Sequence, residues 1–209
     1  MVAKHRPTIL LLLLCVFLLG GRQAHAFGET YGEDITEAEW KCLPEYCKAM
    51  YWFVPPSVYV PPEEAEHWRA RLGKGALHIH HYCHGLAMMG RANMNIQSTY
   101  QYERWMKLAL GDILYTISKA PPDFPLMAEM HVKRAQVALA LKNPGLAWNE
   151  ADAAIQTDPD YVLAYALKSD AMAALGRSDD ARKVLDDALK RFPDAKPLKL
   201  RLKRLSTKK

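Results

Sequence analysis

An all-α fold is predicted for this chain: a solenoid of stacked helical hairpins behind an irregular N-terminal extension. Three observations predict it. Pro159 and Pro193 lie 34 residues apart, and stepping back from each meets the same small residues in register, Ala154 with Ala188 and Ala147 with Ala181. A period of that length belongs to a helix-turn-helix unit that buries its apolar face only by stacking on a neighbour. Turn chemistry punctuates the repeat, since Lys142-Asn143-Pro144-Gly145 breaks one helix and Thr157-Asp158-Pro159-Asp160 ends the next. The low glycine count, 11 in 209 residues, together with scattered alanines, fits helices throughout.

Taken from its start, the chain places Lys4, His5 and Arg6 before an apolar run from Thr8 to Leu19, followed by Gly20-Gly21-Arg22 and then Ala24-His25-Ala26. A charged start, an apolar core and small residues at the cleavage-determining positions make a secretory signal peptide, residues 1–26, with the mature protein starting near Phe27. A retained membrane anchor would need about 20 apolar residues, more than this run holds. Cys15 has no small residues before it and is not read as a lipid-attachment site. The expected location is the periplasm or the exterior. Loss of Lys4, Arg6 and Arg22, with no acid in the segment, takes the net charge from +5 to +2, which leaves no case for nucleic acid.

Some 183 mature residues are enough for one domain whose core needs no metal. Residues 27–75 form the N-terminal extension. Glu37 to Met50 is expected to be helical around Trp40, Leu43 and Tyr46, with Pro44 in its first turn or dividing it in two. Pro55-Pro56 and Pro61-Pro62 forbid a helix between them and predict an extended crossing, with Tyr51, Trp52, Phe53 and Tyr59 laid against the helices. Glu63 and Glu64 then suit the first turn of the next helix.

The stretch richest in chemistry is Ala76 to Ala92, ALHIHHYCHGLAMMGRA. His80, His84 and Met88 follow one another at four-residue steps and so share one line on a helix. Three uses compete for that line. Imidazoles at such spacing ligate zinc or copper, the thioether favouring copper, with His78 or His131 as further donors. The same imidazoles would serve as hydrogen-bonding contacts for a bound peptide, or would simply pack against the aromatic strip and the next helix. A thiolate-imidazole pair from Cys83 with His80 or His84, or a redox thiol at Cys42, lacks the C-x-x-C and oxyanion-stabilising glycine turn that would go with it. No phosphate-cradling glycine loop occurs. The chain is therefore read as a non-enzyme without a cofactor. Asn95 to Ala120 is one long helix with a stripe of Tyr100, Arg104, Met106, Leu108, Gly111, Ile113, Leu114 and Ile117 expected in the core. Pro121, Pro122 and Pro125 stop it, so residues 76–125 read as an expanded, divergent repeat.

Residues 126–194 hold two ordinary units. In the second, Tyr165, Gly176, Ala181, Leu185, Ala188 and Pro193 fall at the spacing of a known pattern, and the region resembles the tetratricopeptide repeat (TPR) family over about a third of the chain. Departures are His131 where an aromatic is usual, and Arg134-Ala135 and Lys168-Ser169 where Leu-Gly is usual. The resemblance implies a concave groove lined by the first helix of each unit, here His80 and His84, then Glu129, Val132 and Gln136, then Leu163, Ala166 and Asp170. Residues 195–209 are read from their charge as a basic C-terminal tail or capping helix. Between Arg182 and Lys209 there are 11 Lys or Arg against Asp186, Asp187 and Asp194. That end keeps a terminal repeat soluble and would attract an acidic partner or a membrane surface.

Three cysteines remain in the mature chain, Cys42, Cys47 and Cys83, and in an oxidising compartment two of them are expected to pair. Spacing leaves both Cys42 with Cys47 and Cys47 with Cys83 open. Leu43-Pro44-Glu45-Tyr46-Cys47 and His80-His81-Tyr82-Cys83 resemble segments of exported proteobacterial TPR proteins, and that resemblance implies Cys47 with Cys83. The function expected is an exported scaffold or adaptor holding an unidentified protein or peptide in the groove; the alternative is a periplasmic metal-binding protein using the His78–His84 cluster.

Overall fold

Residues 35–51 and 54–207 are described in a computed structural model, and among them the chain forms ten α-helices and no strand. The expected signal peptide and cleavage near Ala26, and Trp52 and Phe53, lie outside the described residues.

Pro44 divides the first helical stretch into α1, Glu37–Cys42, and α2, Glu45–Met50. Thr36 starts α1 through a capping box in which its hydroxyl accepts from the Glu39 N–H while the Glu39 carboxylate accepts from the Thr36 N–H at 2.8 Å. Of the expected extended crossing, Pro56–Val58 departs, forming one 3-10 turn. Proline supplies the φ such a turn wants, and its missing N–H costs nothing at the first position. Val58 and Val60 are buried there, whereas Tyr59 is 65% exposed, contrary to the expectation that it packs on the helices. Tyr51 does pack, edge-on to Trp40 at 4.8 Å. α3, Pro62–Leu72, opens with Pro62, Glu63 and Glu64, and a 3-10 segment, Gly73–His78, leads on from it.

Three antiparallel hairpins follow. The first pairs α4, Ile79–Met94, with α5, Thr99–Lys119. At Gly85 a Cβ would meet Ile113 and the Ala109 carbonyl at 3.2–3.3 Å, so the glycine lets the two helices approach. The stripe expected in the core of α5 is only partly there. Met106, Ala109, Asp112, Ile113 and Thr116 are buried, but Tyr100 is 73% exposed and Leu108 and Leu114 43% each. A 21-residue helix with apolar residues on two faces can turn only one of them to α4.

The second and third hairpins are α6, Met127–Ala140, with α7, Pro144–Thr157, and α8, Val162–Ala174, with α9, Ser178–Arg191. Their backbones repeat with the 34-residue period. Lys142 and Gly176 both take the left-handed conformation, at φ 56° and 77°, and the following N–H reaches back five residues in each, Asn143 to Ala138 at 2.8 Å and Arg177 to Met172 at 2.9 Å. This is the helix-ending geometry that glycine adopts freely and lysine adopts at some cost. Asp158 to Ala154 and Phe192 to Ala188, both 2.8 Å, close the second helices alike. α10, Lys196–Thr207, begins 34 residues after Val162 and is the first helix of a further unit with no second helix among the described residues.

Stacking buries the small residues. Ala147, Ala151, Ala154 and Ala181 are fully buried and Ala188 nearly so. One core cluster joins the extension to α4, α5 and α6, and two smaller ones, around Val132 with Leu167 and around Leu185 with Leu198, seal successive hairpins. Cys47 and Cys83 form a disulfide with Cα atoms 5.6 Å apart, both fully buried, which fixes α2 on α4; Cys42 is an exposed free thiol.

Candidate partner-binding face

α4, α6 and α8 are the first helices of the three hairpins, and the expected groove residues sit on them. At the α4 end the imidazoles are structural contacts. His84 Nδ1 lies 2.6 Å from Asp112 Oδ2 on α5, and His81 Nδ1 lies 3.5 Å from the other oxygen of the same carboxylate. The Tyr51 hydroxyl donates to the His80 carbonyl at 2.6 Å, and the His81 ring packs on Tyr115 at 4.0 Å. Burial, with neighbouring histidines adding to it, lowers the pKa of His80; burial lowers that of His81 against the pull of Asp112.

The metal alternative finds no site in this arrangement. Met88 is fully buried, His84 is turned to Asp112, and His131 pairs with Glu150 at 2.7 Å in another hairpin. Among the described residues no group of three or more His, Cys, Asp or Glu is placed to hold a metal ion. The reason is that His78 ends the preceding 3-10 segment, His81 and His84 both face the Asp112 carboxylate, and the four-residue line leads Met88 inward with the core.

On α6, Glu129 is not an open contact. Its Oε1 accepts from the Tyr46 and Tyr82 hydroxyls, both at 2.8 Å, and the two rings stack 8° from parallel. Burial, then the Glu129 charge, raises Tyr46; burial, then the neighbouring phenol and Glu129, raises Tyr82. The two tyrosines immediately precede the bridged cysteines, so the disulfide sets the pair that grips Glu129. Val132 and Ala166 are also corrections, because both are fully buried. Val132 packs in the core with Ala151, Ala164 and Leu167, and Ala166 with Leu185 and Leu198, where the next hairpin or α10 covers them. Asp170 is half-buried and accepts from Arg201 Nε of α10 at 2.6 Å. Leu163 is half-buried against the second and third clusters, and Gln136 is half-buried with Lys133 on the same helix.

Sequence reasoning missed Asp112 and Arg201. Asp112 had a legible signal, a carboxylate between Ala109, Ile113 and Thr116 on the buried face of α5, opposite a helix rich in histidine. Arg201 carried none, being one cation among many. Glu150, 6% exposed, is a third buried carboxylate, held by His131 and Arg134. Between α7, α8 and α9 lies a cleft of about 230 Å³ beside Tyr165, Lys168, Arg191 and Phe192. Its cations are engaged, Lys168 with Asp152 and Arg191 with Asp160, each at 2.5 Å.

No protein-family model matches the chain, and no curated protein matches it. Among solved structures it is similar to the first TPR of Spaghetti (RPAP3) bound to an HSP90 peptide, 18% identical, covering 59% of this chain and 93% of that one at a TM-score of 0.45. It is also similar to the second TPR domain of human RPAP3 in complex with an HSP70 peptide, 20% identical, covering 57% and 92% at 0.45. The first TPR domain of human RPAP3 is 18% identical, covering 59% and 90% at 0.46. At these values the stack of helical hairpins rests on the chain's own geometry.

Proposed function

We propose that the protein is an exported, non-enzymatic adaptor of the TPR kind, which holds an extended segment of another protein along α6 and α8. The observation that supports this is the stacking of hairpins that repeat every 34 residues, since side-by-side first helices form a continuous surface that a single hairpin lacks. Glu129 is spent on the tyrosines, Asp170 on Arg201, and Val132 and Ala166 on packing, so the surface left for a partner centres on Gln136, with Lys133 on the same helix and Leu163 on α8.

A photo-cross-linking residue at Gln136 tests the site. In cells it is expected to capture a discrete partner, while the same residue at exposed Asn149 on α7 does not, and the melting temperature of both variants stays within about 2 °C of the parent. Equal capture from both positions would remove the face from consideration. Export is the second component. It is supported by the signal-peptide pattern and by a buried disulfide, a bond that persists in oxidising compartments. The intact mass of the protein from its native compartment is expected to correspond to a chain beginning near Phe27; a mass that retains residues 1–26 would overturn it.

A further inference from the structure

We propose that α10 docks the protein on an anionic lipid surface through its outward face. The 34-residue register shows why that face is open. Leu200 occupies the place of Ala166 one unit earlier, and Lys203 the place of Ser169; those residues are 0% and 1% exposed because α10 and α9 cover them. Nothing among the described residues covers α10 in turn, and Leu200 is 49% exposed.

The helix divides cleanly. Leu198, Leu202 and Leu205 pack inward on α8 and α9, and Arg201 bonds Asp170. At 100° per residue, Lys196, Lys199, Leu200, Lys203 and Arg204 fall on the opposite arc and are all exposed. No acid occurs from Ala195 onward, and the sequence continues with Lys208 and Lys209. Among the described residues only Lys199 of these has an acidic neighbour, Asp194 at 3.4 Å, and that aspartate is fully exposed. α9 differs, for Lys183 and Lys190 share Asp187, and Arg177 holds Asp180.

An exposed leucine ringed by four cations matches a bilayer interface, which offers anionic headgroups around an apolar layer. Long lysine and arginine stems let the charges reach headgroups while Leu200 inserts. An acidic protein would satisfy the charges but gives the leucine no role. Solvation alone would explain a polar end cap, but it leaves the apolar centre without use. This inference stands apart from the adaptor reading, because α6 and α8 take no part in it.

The test is flotation of the full mature protein with vesicles of phosphatidylcholine alone or with about one third phosphatidylglycerol. Binding is expected only to the anionic vesicles, falling as salt rises. At roughly fivefold per cation, replacing Lys196, Lys199, Lys203 and Arg204 together by Gln should weaken partition by at least about a hundredfold. Leu200→Ser, which leaves the charge unchanged, should weaken it several-fold. All four cations and the leucine are exposed, so helicity and melting should match the parent. Absence of binding, binding unaffected by the fourfold variant, or equal capture by polyglutamate with no effect of Leu200→Ser would each overturn the proposal.

Discussion

With Cys47 and Cys83 both replaced by alanine, the protein is expected to lose about 4 kcal/mol of stability, the chain-entropy value for a bridge spanning 36 residues. That is a large fraction of the roughly 5–15 kcal/mol that holds a domain folded. The loss has a structural address. Without the bridge, α2 is held to the rest mainly by Tyr46, whose ring packs against Trp68 and Tyr82 and whose hydroxyl reaches Glu129. Urea unfolding of the oxidised parent, the double variant and Cys42→Ala decides the matter. Cys42 is exposed and outside the bridge, so its variant should unfold with the parent. Because both bridged cysteines are fully buried, mild reductant should leave the native protein intact until it unfolds. A double variant within about 1 kcal/mol of the parent would mean that the apolar cluster around Trp40 and Tyr82 fixes α2 unaided.

Repeat period, hairpin turns and the alanines that let helices approach were legible in the sequence because each is a local requirement repeated at fixed spacing. Lys142 shows the limit of that reading. It occupies the left-handed position that Gly176 fills one unit later, and only the backbone reveals the equivalence. The groove was less legible. The resemblance assigns Glu129, Val132 and Ala166 to an open surface, but which side of a helix is open depends on what its neighbours cover. Here α2 reaches Glu129 through Tyr46, and the next helices bury the other two. The histidine line misled for a related reason. Four-residue spacing specifies a shared face without saying whether that face meets solvent, and Met88 shows that this line runs into the core.

Those buried contacts give the stability a pH profile, and its steepest part is expected from Glu39. The carboxylate is 9% exposed and accepts from Arg91 Nε at 2.6 Å and Nη2 at 2.7 Å, while the Thr36 N–H and hydroxyl donate to it at 2.8 and 2.9 Å. The Arg91 guanidinium also lies over Trp105, 4.9 Å from the ring centre. Hydrogen bonding from Arg91 is the main cause that lowers the Glu39 pKa from 4.5 to about 2, against the opposing effect of burial. At about 1.4 kcal/mol per pKa unit this corresponds to roughly 3 kcal/mol. The sign follows from a carboxylate more acidic in the folded state than in the unfolded one. Its contribution is fully present above pH 4.5 and is lost as the pH falls toward 2. Glu39→Gln should therefore cost a few kcal/mol at neutral pH, since it removes a buried carboxylate charge from the Arg91 guanidinium, and should flatten the acid limb below pH 4.5. His80 and His81 provide the contrast. Their lowered pKa values also favour the fold at high pH, but they begin to cost stability as the pH drops below 6.5. Unfolding midpoints measured across both windows separate the two sources. If the limb below pH 4.5 stays equally steep in Glu39→Gln, the Arg91 pair is not its origin, whereas a loss confined to that window ties α1 to α4 through this ion pair.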